Sequence, residues 1–281
     1  MKKFPILFTS LLVLGLVTTS FIAGCAKEDN SKLKVVASTS IISQIVERTG
    51  GDKVDVVNII PPAQCPGHFD VKPGDIQKLA DADLFFLHGW QGEQFSQKLI
   101  DSANNPDLTV VVMNIQGNWM TPSVQQMAVE EITVALTNID AENSSYYQKS
   151  ATGYKDMVAA KEAEIKASLA QTDLSAINVM CADQQAGFVK WAGFNIIATF
   201  GEPESLTPQI IKDLVDKGRE AGVTLIIDNM QSGIDAGAGI AEEIGSDRII
   251  LSNFPGGYEN TGTWEKAIDR NVELILGTLK Q

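Results

Sequence analysis

The chain has 281 residues, 44% of them hydrophobic, with 22 Lys and Arg against 35 Asp and Glu and a formal charge of −13. That length is enough for two lobes, each with its own core. The acidity argues against nucleic acid or an anionic membrane face as partner and leans toward cations. With three cysteines and two histidines in the whole chain, the side chains suited to a soft ion are few.

Residues 1–24 stand apart from the fold. Met1-Lys2-Lys3 is a short basic start, 4–22 is apolar and uncharged, and Ile22-Ala23-Gly24-Cys25 places small residues at a cleavage position. The competing reading is a membrane-spanning helix, but the run is barely long enough and lacks a basic stop-transfer flank. The tetrapeptide resembles the lipobox of bacterial lipoproteins. That resemblance implies cleavage before Cys25, lipid on its sulfur, and an extracytoplasmic, membrane-anchored protein. Residues 25–32 read as a polar tether. Residues 1–24 hold two lysines and no acid, so 20 basic and 35 acidic residues remain beyond them, a charge of −15. With Cys25 used for the anchor, Cys65 and Cys181 are left, and outside the cytoplasm two cysteines can pair.

In chain order, 33–40 reads as a strand running into a helix, with Ser38 and Ser40 as candidate caps and Ile41, Ile42, Ile45 and Val46 as the apolar side. Gly50-Gly51 ends that helix, and 54–60 is the next strand. A loop follows, Gln64-Cys65-Pro66-Gly67-His68, where a strand hands over to a helix capped by Asp75. In open α/β sheets ligands bind outside the carboxyl ends of strands, so this loop lies on the expected ligand face. Residues 83–87 and 109–113 are further strands, and Pro122 opens a helix over 124–137. From 146 to 170 there is no proline and one glycine, with apolar residues at 147, 154, 158, 165 and 169. That one-sided stripe predicts a helix roughly 35–40 Å long, which reads as a stiff backbone spanning two lobes or as an ordinary long surface helix. The alternation restarts with strands at 176–181, 195–200, 223–227 and 249–251, helices from Thr207 and Thr263, and loops at Gly201-Glu202-Pro203, Asp228-Asn229 and 252–257. Short apolar strands alternating with helices mean parallel sheets. The predicted fold is α/β: two (β/α) lobes joined by one long rigid helix, with a ligand cleft between the lobes. The divisions are 33–142 for the first lobe, 143–172 for the linking helix, 173–262 for the second lobe and 263–281 for a terminal helix.

Val36-Ala37-Ser38-Thr39-Ser40, Pro61-Pro62-Ala63, the block from Phe69-Asp70-Val71-Lys72-Pro73 to Asp83-Leu84, Trp119-Met120-Thr121-Pro122, Glu202-Pro203, and Trp264 with Asn271 resemble one known family. It is the metal-binding substrate-binding lipoproteins of ABC transporters for zinc and manganese. The resemblance covers nearly all of the chain beyond the leader. It implies a metal in the cleft, delivery to a membrane permease, no enzymatic activity, and no cofactor beyond the bound ion. A monomer is expected. The family's usual three-histidine, one-acid ligand set is out of register here. Its places fall on Gly67, on Gly117, near Ala182 beside Cys181, and on Ser252 or Asn253.

Either the metal has been lost or a different ligand set is used, and the reading adopted is a replaced set. Cys65 and His68 come from one loop, His88 follows the strand at 83–87, and Cys181 ends a strand of the other lobe. Thiolate with imidazole suits Zn²⁺ and would take Co²⁺, Ni²⁺ or Cu(I), whereas Mn²⁺ prefers oxygen. The fourth ligand stays open among His88, Glu202 and Asp228, with Glu93 a further acid on the cleft loops; His88 reads equally well as a supporting residue stacked beside Trp90. Donors from both lobes would make capture and closure one event. Three alternatives stand beside this reading. A metal chelate, siderophore-like or corrinoid-like, would use Trp90, Trp119 and Trp191. Cys65 and Cys181 would instead form a disulfide if their Cα atoms lie within roughly 7 Å. Cys181 as a catalytic thiol is the third, and no activating arrangement is visible around it.

Overall fold

The chain's computed structural model describes residues 32–90 and 93–279. The leader, Cys25 and the tether up to residue 31 lie outside the described residues. Each half places its most apolar segments in the middle of a parallel sheet. In the first, β1 (Leu33–Ala37) pairs on one side with β2 (Val54–Asn58) and on the other with β3 (Leu84–Leu87), and β4 (Thr109–Val112) completes the order β2-β1-β3-β4. In the second, β5 (Asn178–Ala182), β6 (Asn195–Phe200), β7 (Leu225–Asn229) and β8 (Asp247–Leu251) repeat that plan as β6-β5-β7-β8. Strand order reverses beside β1 and again beside β5, so each sheet has a switch point where loops diverge and leave a crevice.

The helices are α1 (Ser40–Gly50), α2 (Pro73–Ala80), α3 (Phe95–Ala103), α4 (Pro122–Ile139), α5 (Ser144–Leu169), α6 (Ala186–Ala192), α7 (Pro208–Ala221), α8 (Ala238–Ile244) and α9 (Trp264–Thr278). Two local expectations change. Thr39, not Ser38 or Ser40, is the N-cap residue of α1. Asp75 sits one turn inside α2, where its carboxylate accepts from the Lys72 N–H at 3.1 Å. Thr207 and Thr263 do cap their helices, accepting from Ile210 N and Lys266 N.

Period-two alternation divides the apolar side chains. Val36, Phe85 and Leu87 face α2 and α3, through Leu79 and Leu99. Met180, Ala182 and Ile226 face α7 and α8, through Val215 and Ile240. The opposite sheet faces share one continuous cluster, from Val35 and Phe86 through Tyr147, Tyr154 and Val158 to Val179, Ile227 and Ile268. The buried stripe of α5 (Tyr147, Ala151, Tyr154, Val158, Ile165, Leu169) runs through it, against α1, α4 and α9. No helix among the described residues is long and apolar enough to cross a membrane.

Candidate functional site

The loops leaving the strand ends enclose a cleft of about 700 Å³, with Cys65, His68, Trp90 and Trp119 from the first half and Asp183, Gln184, Glu202 and Asn253 from the second. Cys65 and His68 share one side because Pro66–His68 is a 3₁₀ turn, closed by His68 N–H donating to Cys65 O at 3.2 Å. Residues three apart eclipse in that geometry. Phe69, buried edge-on against Phe95 at 5.1 Å, pins the turn to the core behind it.

Glu202 faces them from the loop after β6. Its Oε1 lies 3.9 Å from the Cys65 sulfur. The turn is fixed by the Ser205 hydroxyl and N–H, which both donate to the Glu202 carbonyl. Ligating atoms of His68, Glu202 and Glu204 all lie within 4.8 Å of one another. An imidazole and two carboxylates thus meet across the cleft, and the Cys65 thiol lies beside one of them, Glu202; Cys65 and Glu202 are on the cavity wall and Glu204 is exposed outside it. Burial raises the Cys65 thiol above its ordinary pKa, and the Glu202 carboxylate pushes the same way. The thiol therefore keeps its proton until a cation displaces it.

The structure does not bring the other two proposed ligands to this place. Cys181 is fully buried inside β5, on the face carrying Val179, Leu225 and Ile227. A residue within a parallel strand points into the helix layer; only residues past the strand's end, here Asp183 and Gln184, reach the cleft. Burial first, and Asp183 second, push the Cys181 thiol up to about 12. Both cysteines are free, so there is no disulfide between them. His88 is also fully buried, with its imidazole stacked under Trp90 at 3.6 Å and its Nε2 2.7 Å from the Thr39 hydroxyl. Burial holds its pKa well below the ordinary value, so the ring is neutral.

Two of the acids considered have structural partners. Glu93 accepts from the Ser38 hydroxyl at 2.6 Å, His88 N–H at 3.2 Å and Gly89 N–H at 2.8 Å, tying the ends of β1 and β3 together. Asp228 is buried and bonded to Arg248 at 2.6 Å and Gly237 N–H at 2.7 Å, away from the cleft. Trp191, named with the aromatic residues, donates to Glu162 at 3.3 Å and does not line the cleft.

Sequence reasoning missed Glu204 and the amides. Asn118 spans the floor: its Nδ2 donates to Gln184 O at 2.8 Å and Asn253 Oδ1 at 2.7 Å, and its Oδ1 accepts from Met120 N–H at 2.9 Å. Its place beside Trp119 was the available signal. Of the places where the resemblance puts family ligands, Gly67, Gly117 and Asn253 line the cleft, whereas Ala182 is buried at the end of β5 and it is the next residue, Asp183, that reaches the cleft. Gly117 has φ near +111° and space for a Cβ only within 3.0 Å of Val124, so the backbone itself is set against a bulky side chain there.

The sequence profile of the family described as zinc-uptake complex component A, periplasmic, matches residues 35–277. The metal ABC transporter substrate-binding lipoprotein SsaB of Streptococcus sanguinis is 28% identical over 264 residues, covering 84% of each chain. Two solved structures share the fold. A manganese-bound periplasmic metal-binding protein from candidatus liberibacter asiaticus superposes with a TM-score of 0.77 at 18% identity, over 88% of this chain and 100% of that one. The binding protein FpvC of P. aeruginosa, in complex with Ni²⁺, gives 0.76 at 20% identity, over 89% and 97%.

Proposed function

This chain belongs to the zinc-uptake component A family of metal ABC-transporter substrate-binding proteins, which are not enzymes, and we propose that it captures a divalent transition metal, zinc foremost, through Cys65, His68 and Glu202. What supports this reading is that Cys65 and His68 both flank the Glu202 carboxylate, the first with Sγ 3.9 Å from its Oε1 and the second with a ring nitrogen within 4.8 Å of it. Glu204 stands on the solvent side, where its charge draws the cation in.

The donor chemistry argues for zinc over manganese. Thiolate and imidazole favour Zn²⁺, with Co²⁺, Ni²⁺ and Cu(I) as the ions of next resort, while Mn²⁺ prefers all-oxygen surroundings. Because His68 and Cys65 come from one half and Glu202 from the other, the ion bridges the two halves and adds to the contacts that already join them. A membrane permease receives the cargo from this cleft. The protein works as a monomer, held outside the cytoplasm by lipid on Cys25.

Elemental analysis of the purified protein tests the ligand set. The expected result is about one zinc per chain, with affinity falling at least about tenfold in Cys65→Ser and further in His68→Ala. Zinc content and affinity unaffected by both changes would contradict it.

A further inference from the structure

A single ion does not fill this cleft. An ion with six waters occupies roughly 180 Å³, at about 30 Å³ per water. The cavity measures about 700 Å³, within the range of about 300–1,000 Å³ that small organic ligands occupy. Part of the excess comes from Gly67 and Gly117, which contribute no side chains to their share of the wall.

The remaining wall is built for an organic group. Trp90 rests one face on the buried His88 ring, with 8° between the planes, and is itself only partly buried where it lines the cleft. Trp119 stands at 89° to it, and Phe254 of the other half lies at 16° to Trp90, 6.3 Å away. Trp119 is 3% exposed, and its indole N–H has no hydrogen-bond partner among the described residues. The side chains of Gln94 and Gln184 line the same space. At the mouth, Cys65, His68 and Glu202 are three donors, a number that leaves coordination positions for an outside ligand.

We propose that the cargo enters as a metal complex: the ion held at the mouth by Cys65, His68 and Glu202, and a small chelator with a flat unsaturated ring filling the chamber against Trp90 and Trp119. This rests on the metal site proposed above. The flat ring stacks on the free part of Trp90, with Trp119 standing at right angles to it as the adjoining wall.

Equilibrium dialysis of the full chain tests it, with zinc alone, bipyridine alone, and the two together. The expected result is one bipyridine retained per zinc, with zinc held about tenfold more tightly than when offered alone. Trp90→Ala and, from the opposite wall, Gln184→Phe lose the bipyridine while zinc alone still binds. Either variant gives the comparison if the other does not fold. The proposal is overturned if bipyridine strips zinc from the protein without being retained, or if it is retained equally without zinc. In both of those cases zinc alone still binds and depends on Cys65, so the metal site stands. If zinc alone fails to bind and bipyridine does not rescue it, the metal site falls and the proposal with it.

Discussion

Cys65 and Cys181 are both cysteines near strand ends, and the difference between them is strand phase. Cys181 lies inside β5 and points into the core; Cys65 lies seven residues beyond the end of β2 and is free to face the cleft. Sequence gave the spacing of Cys65 and His68 but not which face of β5 carries Cys181, since a fully buried strand has no polar alternation to reveal its phase. For His88 the sequence left ligation and stacking beside Trp90 both open, and the fold holds the stack. Its burial has a testable consequence. A histidine whose folded pKa is depressed stabilises the fold above the unfolded value near 6.5, and that stability is lost as pH falls below it, because only the unfolded chain takes up the proton. Urea unfolding at several pH values between 7.5 and 5 should show a slope in His88 protein, at most about 1.4 kcal/mol per pH unit, that is missing in His88→Gln. Equal slopes in the two would remove this account of His88.

At the scale of elements, α5 was the most legible feature, because its apolar stripe and lack of breakers leave few alternatives. Its bounds, Ser144–Leu169, fall within two residues of the pattern. The short helices α3, α6 and α8 were not legible, since seven to nine residues give too few turns for periodicity to stand out. What α5 does beyond packing lies in Tyr154. Its hydroxyl is 3.0 Å from Gln44 Oε1 and 3.1 Å from Gln125 Oε1, while Gln44 Nε2 has no partner among the described residues. One hydroxyl proton cannot serve two acceptors, so the Gln44 amide is better turned over, with its NH₂ donating to the tyrosine and the tyrosine donating to Gln125. Gln125 in turn donates to Trp119 O at 2.7 Å, which links the long helix to the cleft floor. Tyr154→Phe strands these amides in the core and should lower unfolding free energy by about 1–3 kcal/mol in urea titration. A loss under about 0.5 kcal/mol would show that the network relaxes without the hydroxyl.

For the whole molecule, the two halves hold each other through bonds that do not involve cargo. Asn118 reaches Gln184 and Asn253, Gln231 donates to Pro62 O at 2.8 Å, Ser40 to Pro255 O at 2.7 Å, and the Trp264 indole to Met120 O at 3.0 Å. Gly187 permits the closest of these approaches, since a Cβ there would sit 3.0 Å from Asn118 Cβ. A continuous apolar cluster runs beneath them. Closure therefore has its own protein contacts, and the ion adds to it rather than supplying all of it, which modifies the expectation that capture and closure are one event. Small-angle scattering should find the wild-type chain near a radius of gyration of about 18 Å with or without zinc. Asn118→Ala should expand when zinc is withdrawn and contract when it is restored. A wild-type chain that expands as far as the variant on losing zinc would assign closure to the ion alone. The resemblance in the sequence identified the fold and the cleft; the amides that join the halves were not legible, because Asn and Gln carry no signature until their partners across the cleft are known.

X-ray absorption at the zinc edge of the loaded protein tests the central claim most directly. A site made by Cys65, His68 and Glu202 predicts one sulfur at about 2.3 Å with nitrogen and oxygen at about 2.0–2.2 Å. A shell with no sulfur would contradict the assignment of Cys65, and one with two sulfurs would require Cys181 to leave the core of the second sheet.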